Sequence, residues 1–144
     1  MKTIVALVDF SDVALKVLRE VQTLAEAFKS QVTVVHGIPE KATVIDVGIA
    51  SPVVSRKPTA EEVQADLARL QKITEPLRAC GVDVTLRQFY DASVEHVVEE
   101  ALKLAADLIV VGSHQHNAFY HLLVGSVNDQ ILKRAKSPVL VVSA

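Results

Sequence analysis

The chain has 144 residues, about the length of one domain with one well-formed core. Half of them are hydrophobic and only 4% are aromatic, with the excess in Val, Leu, Ala and Ile, which suits a sheet covered on both faces and excludes a disordered chain. A formal charge of -2, with no local Lys/Arg cluster to offset it, leaves no electrostatic footprint for nucleic acid.

The opening MKTIVALVDF places a lysine before an apolar run, yet Asp9 ends that run after Thr3 to Val8. It therefore reads as a first buried strand and not as a secretory signal. Ser11 or Asp12 is positioned to cap a following helix whose apolar side runs Ala14, Val17, Leu18, Val21, Leu24, Ala25 and Phe28. QVTVVHG (31–37) is a second strand, with His36 at its buried end.

Residues 38–58 form a long connection with two interior prolines, a glycine and several Val and Ile. Connections of this length inside a compact domain are usually functional or disordered, and the apolar content favours a flap or a partner-facing segment. Thr59 and Glu62 then make a T-x-x-E capping box for a helix presenting Val63, Leu67, Leu70, Ile73 and Leu77 on one side. Pro76 should kink or shorten that helix, and Gly81 should stop it.

VDVTLRQF (82–89) is a third strand, less apolar and so nearer an edge. A helix after Asp91 to Ser93 carries Val94, Val97, Val98, Ala101 and Leu102 inward and leads into DLIVVG (107–112), the fourth and most buried strand. SPVLVVSA closes the chain as a fifth. Strands alternating with helices imply right-handed crossovers around an open parallel sheet with helices on both faces, in one domain over 1–144. No apolar run approaches the ~18 residues of a membrane span, and the single cysteine, Cys80, excludes an internal disulfide. A cytoplasmic protein without a membrane anchor is the expectation.

In such a sheet, ligands bind beyond the carboxyl ends of the strands, where strand order reverses. Asp9, Gly37 and Gly112 each follow one strand and would face one crevice. Asp9 suits ribose hydroxyls or a metal, while Ser11 and Asp12 remain for the cap. Gly125 and Ser126 open a last helix through Val127, Ile131, Leu132 and Ala135, whose unpaired N–H groups suit phosphate. Ser126 also begins an S-x-x-D box with Asp129, so capping and phosphate contact are both open to it. Neither a G-x-G-x-x-G after the first strand nor a P-loop is present, which excludes those two nucleotide sites.

The VALVDFS start, the VTVVHG strand and above all GSHQHNAFYHLLVGSVNDQILKRAKSPVLVV resemble the universal stress protein family over essentially the whole chain. That resemblance implies a Rossmann-like fold of the adenine nucleotide alpha hydrolase type, with five strands in the order 3-2-1-4-5 and dimerisation through the final strand. Members that bind ATP carry G-x-x-G, nine residues and G-[ST]. This chain supplies Gly112, Ser113 and His114, then Gln115 in place of the second glycine, then nine residues, then Gly125 and Ser126. The resemblance implies adenine and ribose contacts at Asp9, Gly37 and Val111, and phosphate contacts at His114, Ser126, Val127 and Asn128. ATP, with or without Mg²⁺, is the implied cofactor.

Gln115 divides the functional reading. A non-glycine residue in a left-handed position costs roughly 1–2 kcal/mol, and a side chain beside a phosphate blocks it, although the Gln amide can also donate to a phosphate oxygen. Two functions follow. One is a nucleotide-dependent homodimeric stress-response module; the other is a dimeric adaptor that binds a protein partner without nucleotide. His114, His116 and His121 fall close together, but no Cys, Asp or Glu shares their loop, so no dedicated metal site is expected. No nucleophile pairs with a base at readable spacing, so no catalytic residue is assigned, with at most slow ATP hydrolysis.

Overall fold

A computed structural model describes residues 1–38, 40–45, 48, 52–90, 94–113 and 136–143. Apolar runs long enough to cross a layer once become the strands β1 (Thr3–Leu7), β2 (Gln31–Gly37), β5 (Val84–Phe89), β6 (Leu108–Ser113) and β7 (Val139–Ser143). They form one parallel sheet in the order β5-β2-β1-β6-β7, the predicted 3-2-1-4-5 once the two intervening short strands are left out of the count. The centre is β1. Its Ile4, Val5 and Ala6 are fully buried, more deeply than β6 as a whole, because β1 has two inner strands as neighbours while β6 borders the edge strand β7.

Helices α1 (Ala14–Phe28) and α2 (Ala60–Ala79) cover one face, packing Val17, Leu18, Val21, Leu70 and Leu77 on Ile4, Ala6, Val32, Val34 and Val110. Helix α3 (Val94–Lys103) covers the other, where Ala101 meets Val5, Leu7, Val35, Ile109 and Val111. The predicted inward side chains of Val94, Val97 and Val98 lie outside the described residues. Phe28 departs from the predicted core: it is 53% exposed at the last helical position, just before the turn that leads into β2 at Gln31.

The helix ends follow local chemistry. Neither Ser11 nor Asp12 caps α1; its N-cap is Val13, which has no side-chain acceptor, and the Ser11 carbonyl instead accepts the Ala14 N–H at 3.0 Å. The Thr59–Glu62 capping box is present in both directions, with Glu62 N–H donating to Thr59 Oγ1 and Thr59 N–H to Glu62 Oε2. Pro76 neither ends nor shortens α2, which runs on to Ala79. The stop is a Schellman turn, in which Val82 N–H donates to the Leu77 carbonyl and Gly81 N–H to the Arg78 carbonyl, with Gly81 at φ +80°.

The long connection contains an antiparallel hairpin, β3 (Lys41–Val44) and β4 (Val53–Arg56), with Val44 opposite Val53. Both valines are exposed, at 62% and 66%. The hairpin is moored to the start of α2 by Arg56, whose Nη1 and Nη2 each donate to one Glu62 carboxylate oxygen at 2.9 Å. Among the described residues, no helix is long and apolar enough to cross a membrane.

Candidate functional site at the β1–β6 crevice

Strand order reverses between β1, which runs on toward β2 and β5, and β6, which leads to β7. Along β2 the backbone groups alternate between neighbours. Gln31 N–H donates to Lys2 and Val35 accepts from Val8, both on the β1 side, whereas Val32 N–H and Ile38 N–H donate to Asp83 and Phe89 on the β5 side. Gly37 shares the parity of Val35, so its N–H and carbonyl point toward β1. The β1 ladder has by then ended at the Leu7–Val35 pair, and the Gly37 backbone therefore faces the gap that opens where β1 turns away.

Asp9 forms that turn. It is exposed, and its Oδ1 accepts the Ser11 N–H at 3.0 Å, an Asx turn that leaves Oδ2 on the rim. Phe10 follows at φ +61°, a left-handed backbone that an aromatic residue rarely adopts. Its ring is held from two sides: the His36 ring lies at 4.4 Å between centroids, and Cζ of Arg69 stands 4.3 Å from the Phe10 centroid. A tertiary clamp thus fixes the corner from which Asp9 projects, and such over-determination is what keeps strained backbone in place.

Gly112 has a different reason for being glycine from the one its motif suggests. A Cβ at this position would stand 2.8 Å from Cγ1 and 3.3 Å from Cβ of Val13, and 3.3 Å from Cγ2 of Val17. The close approach is to the first turn of α1. Val111 is buried against the α3 face and pairs with Val141 of β7. The structure thus gathers Asp9 and Gly37 at one rim, with Val111 and Gly112 at the adjoining end of β6. His114, Gln115, Gly125, Ser126, Val127 and Asn128 lie outside the described residues, as do His116 and His121.

Sequence reading missed Phe10, Asp66 and Arg69. Asp66 and Arg69 lie one turn apart on α2 and meet His36 and Phe10 only through tertiary packing. The one signal available was an Asp and an Arg one turn apart on α2, beside Val63, Leu67 and Leu70. Nearer the solvent, the Arg56 guanidinium and then the Thr59 backbone N–H hold the Glu62 carboxyl down at about 2. A separate hollow of about 210 Å³ lies at the far end of the sheet, bordered by Glu26, Lys29, Cys80 and Asp83. The ends of α1 and α2 point their carbonyls there, which disfavours a nucleotide's anionic groups.

Known proteins give this geometry a context. The family model described as the universal stress protein family matches residues 1–143. The chain is 30% identical to the universal stress protein MJ0531 of Methanocaldococcus jannaschii over 141 residues, 98% of this chain and 81% of that one. It also superposes on a universal stress protein solved in complex with cAMP, with a TM-score of 0.67 at 23% identity over 98% of this chain and 96% of the other. The Archaeoglobus fulgidus universal stress protein in complex with dAMP gives 0.65 at 20% identity, over 98% and 96%.

Proposed function

This chain belongs to the universal stress protein family, and on that premise we propose that it is an adenine-nucleotide-binding regulatory module. The observation that carries the proposal is the convergence of the Gly37 backbone and the Asp9 carboxylate on the gap where β1 turns away. A backbone N–H and carbonyl side by side complement an adenine edge, which presents an acceptor beside a donor. A short carboxylate next to them accepts from ribose hydroxyls. Solved relatives hold cAMP and dAMP, which share the adenine base.

The described half of the site fits the nucleoside. The phosphates of ATP, and any Mg²⁺ with them, would fall to the segment from His114 to Asn128, which lies outside the described residues and whose sequence predicts a helix start at Ser126 as donor. We assign the module to the cytoplasm as a homodimer paired through β7, with no nucleic-acid or membrane partner. In support of the pairing, β7 has one ladder neighbour, β6, among the described residues and exposes Val141 on the sheet edge. The bound nucleotide then regulates a protein partner. A dimeric adaptor without nucleotide is the second reading, favoured by Gln115 and by the packing reason for Gly112.

Calorimetric titration with ATP and Mg²⁺ separates the two. The first reading expects saturable binding below millimolar ATP and about a tenfold loss in Asp9→Ala, the size of one charged hydrogen bond. No binding by the wild type, restored in Gln115→Gly, establishes the adaptor instead.

A further inference from the structure

Behind the Asp9 corner, one imidazole faces two acceptors. His36 is 3% exposed, and its Nδ1 lies 2.8 Å from the Val8 carbonyl oxygen. A carbonyl only accepts, so Nδ1 carries the proton. On the other side, Nε2 is 3.5 Å from Oδ2 of Asp66, which is itself 22% exposed. Nε2 is buried and makes no hydrogen bond among the described residues. A neutral ring has a single N–H and satisfies one of the two; a protonated ring satisfies both.

We propose that His36 and Asp66 form a proton-operated latch between the end of β2 and helix α2, open with the neutral ring and closed when Nε2 is protonated. The surroundings favour Asp66 as the partner. From β1 the ring meets the Val8 carbonyl, and from the β1–α1 turn the Phe10 face; the charged members of that turn, Asp9 and Asp12, are exposed. From β5 comes Gln88, uncharged and donating to the Val63 carbonyl. Helix α2 supplies Asp66, and the charges one turn to either side of it are engaged elsewhere: Arg69 lies over Phe10, and Glu62 is paired with Arg56.

The latch acts on the rim because of what α2 carries. Glu62, one turn before Asp66, holds the hairpin through Arg56, and Arg69, one turn after it, holds Phe10. Closing Nε2–H onto Asp66 draws the helix that bears both toward the strand end that bears Gly37. His36 is thus a positioning residue for the crevice. Every group of the latch belongs to the protein, so its test needs no nucleotide.

The test compares wild type with Asp66→Asn by chemical denaturation between about pH 8 and about pH 5.5, the interval in which an imidazole takes up its proton. At the alkaline end, the Asn amide donates to the bare Nε2, and the variant is expected to match or exceed the wild type. At the acid end, the imidazolium–carboxylate pair gives the wild type an advantage of about tenfold in the folding equilibrium constant. His36→Gln should abolish this pH dependence. A wild-type-to-variant ratio that stays constant across the interval overturns the latch. Should Asp66→Asn fail to fold, ring ¹⁵N spectra of the wild type decide: an Nδ1–H tautomer at alkaline pH, with Asp66 Cγ shifting at the His36 midpoint, supports the latch. An Nε2–H tautomer, or an unmoved Cγ, refutes it.

Discussion

A methyl group on Gly112 would stand 2.8 Å from Cγ1 of Val13, closer than such atoms approach, so the end of β6 and the first turn of α1 meet with no room for a side chain. Val13 is 2% exposed and short, with Cβ itself at 3.3 Å, so rotation of its side chain does not relieve the contact. Gly112→Ala therefore overpacks the core at a cost of about 1–3 kcal/mol, against a gain of about 0.4–1 kcal/mol from stiffening the unfolded chain. The expected net loss is about 1–2 kcal/mol. Val13→Ala on the Gly112→Ala background should recover part of it, giving a non-additive cycle in urea denaturation. Additive losses would place the constraint elsewhere than this contact.

The mooring of the hairpin carries a pH signature. Glu62 is held at about 2 from an ordinary 4.5, first by the Arg56 guanidinium and then by the Thr59 N–H. A carboxyl lowered in the folded state contributes stability that is complete above its unfolded value and lost as pH falls through the folded one. The contribution of Glu62 is therefore whole above 4.5 and lost progressively from there to about 2. Both side chains are more than a third exposed, so the effect is small and weakened by salt. Protease protection of the β3–β4 hairpin should fall across that acid window in the wild type and be weak throughout in Glu62→Gln. Protection unchanged by the substitution would mean that the ion pair does not moor the hairpin.

Much of this architecture was legible because each rule involved acts over a few residues. The inner strands β1, β2 and β6 read as apolar runs because both faces are covered, and Thr59–Glu62 read as a capping box because its partners are three residues apart. The hairpin was not legible: Ala42, Val44 and Val53 are exposed, so no buried face imposed an alternation. The start of α1 was misread because Val13, with no acceptor, takes the N-cap place. At the site, Asp9 and Gly37 were visible from their place after strands. The meaning of Gly112 was not, since its constraint comes from Val13 and Val17, nearly a hundred residues earlier in the chain. The Phe10–His36–Asp66–Arg69 cluster has no sequence pattern, because four separate backbone positions must fold before it exists.

Two helix ends with the same backbone need but different residues give a paired expectation. Lys29 closes α1 at φ +54°, and Gly81 follows α2 at φ +80°. An L-residue in the left-handed region costs about 1–2 kcal/mol, of which a glycine returns about 0.4–1 kcal/mol through its freer unfolded chain. Lys29→Gly should therefore stabilise the fold by about 0.5–1 kcal/mol and Gly81→Ala destabilise it by a similar amount. Nothing lies within 4 Å of a Cβ on Gly81, so that loss would report backbone strain alone. Thermal midpoints moving in opposite directions check the pair; a shared direction would contradict it.

Asp107 fastens the beginning of the central strand from the beginning of its neighbour. Its Oδ2 accepts the Thr3 N–H at 2.9 Å and the Lys2 N–H at 2.6 Å, while the Asp107 N–H donates back to the Thr3 carbonyl. The two backbone donors, Thr3 first, hold its carboxyl below the ordinary 3.8. The sign is that of Glu62: the contribution is present above 3.8 and lost as pH falls below it. Asp107→Asn keeps the shape and one acceptor oxygen but removes the charge, so it should weaken the fold at neutral pH and bring the variant and the wild type together in acid. Amide exchange at Thr3 reports this directly, because the Thr3 N–H is itself a donor to the carboxylate. Faster Thr3 exchange in Asp107→Asn at neutral pH, converging with the wild type in acid, is the expected result. Equal exchange at both ends would show that β1 is held in place by the ladders to β2 and β6 without this carboxylate.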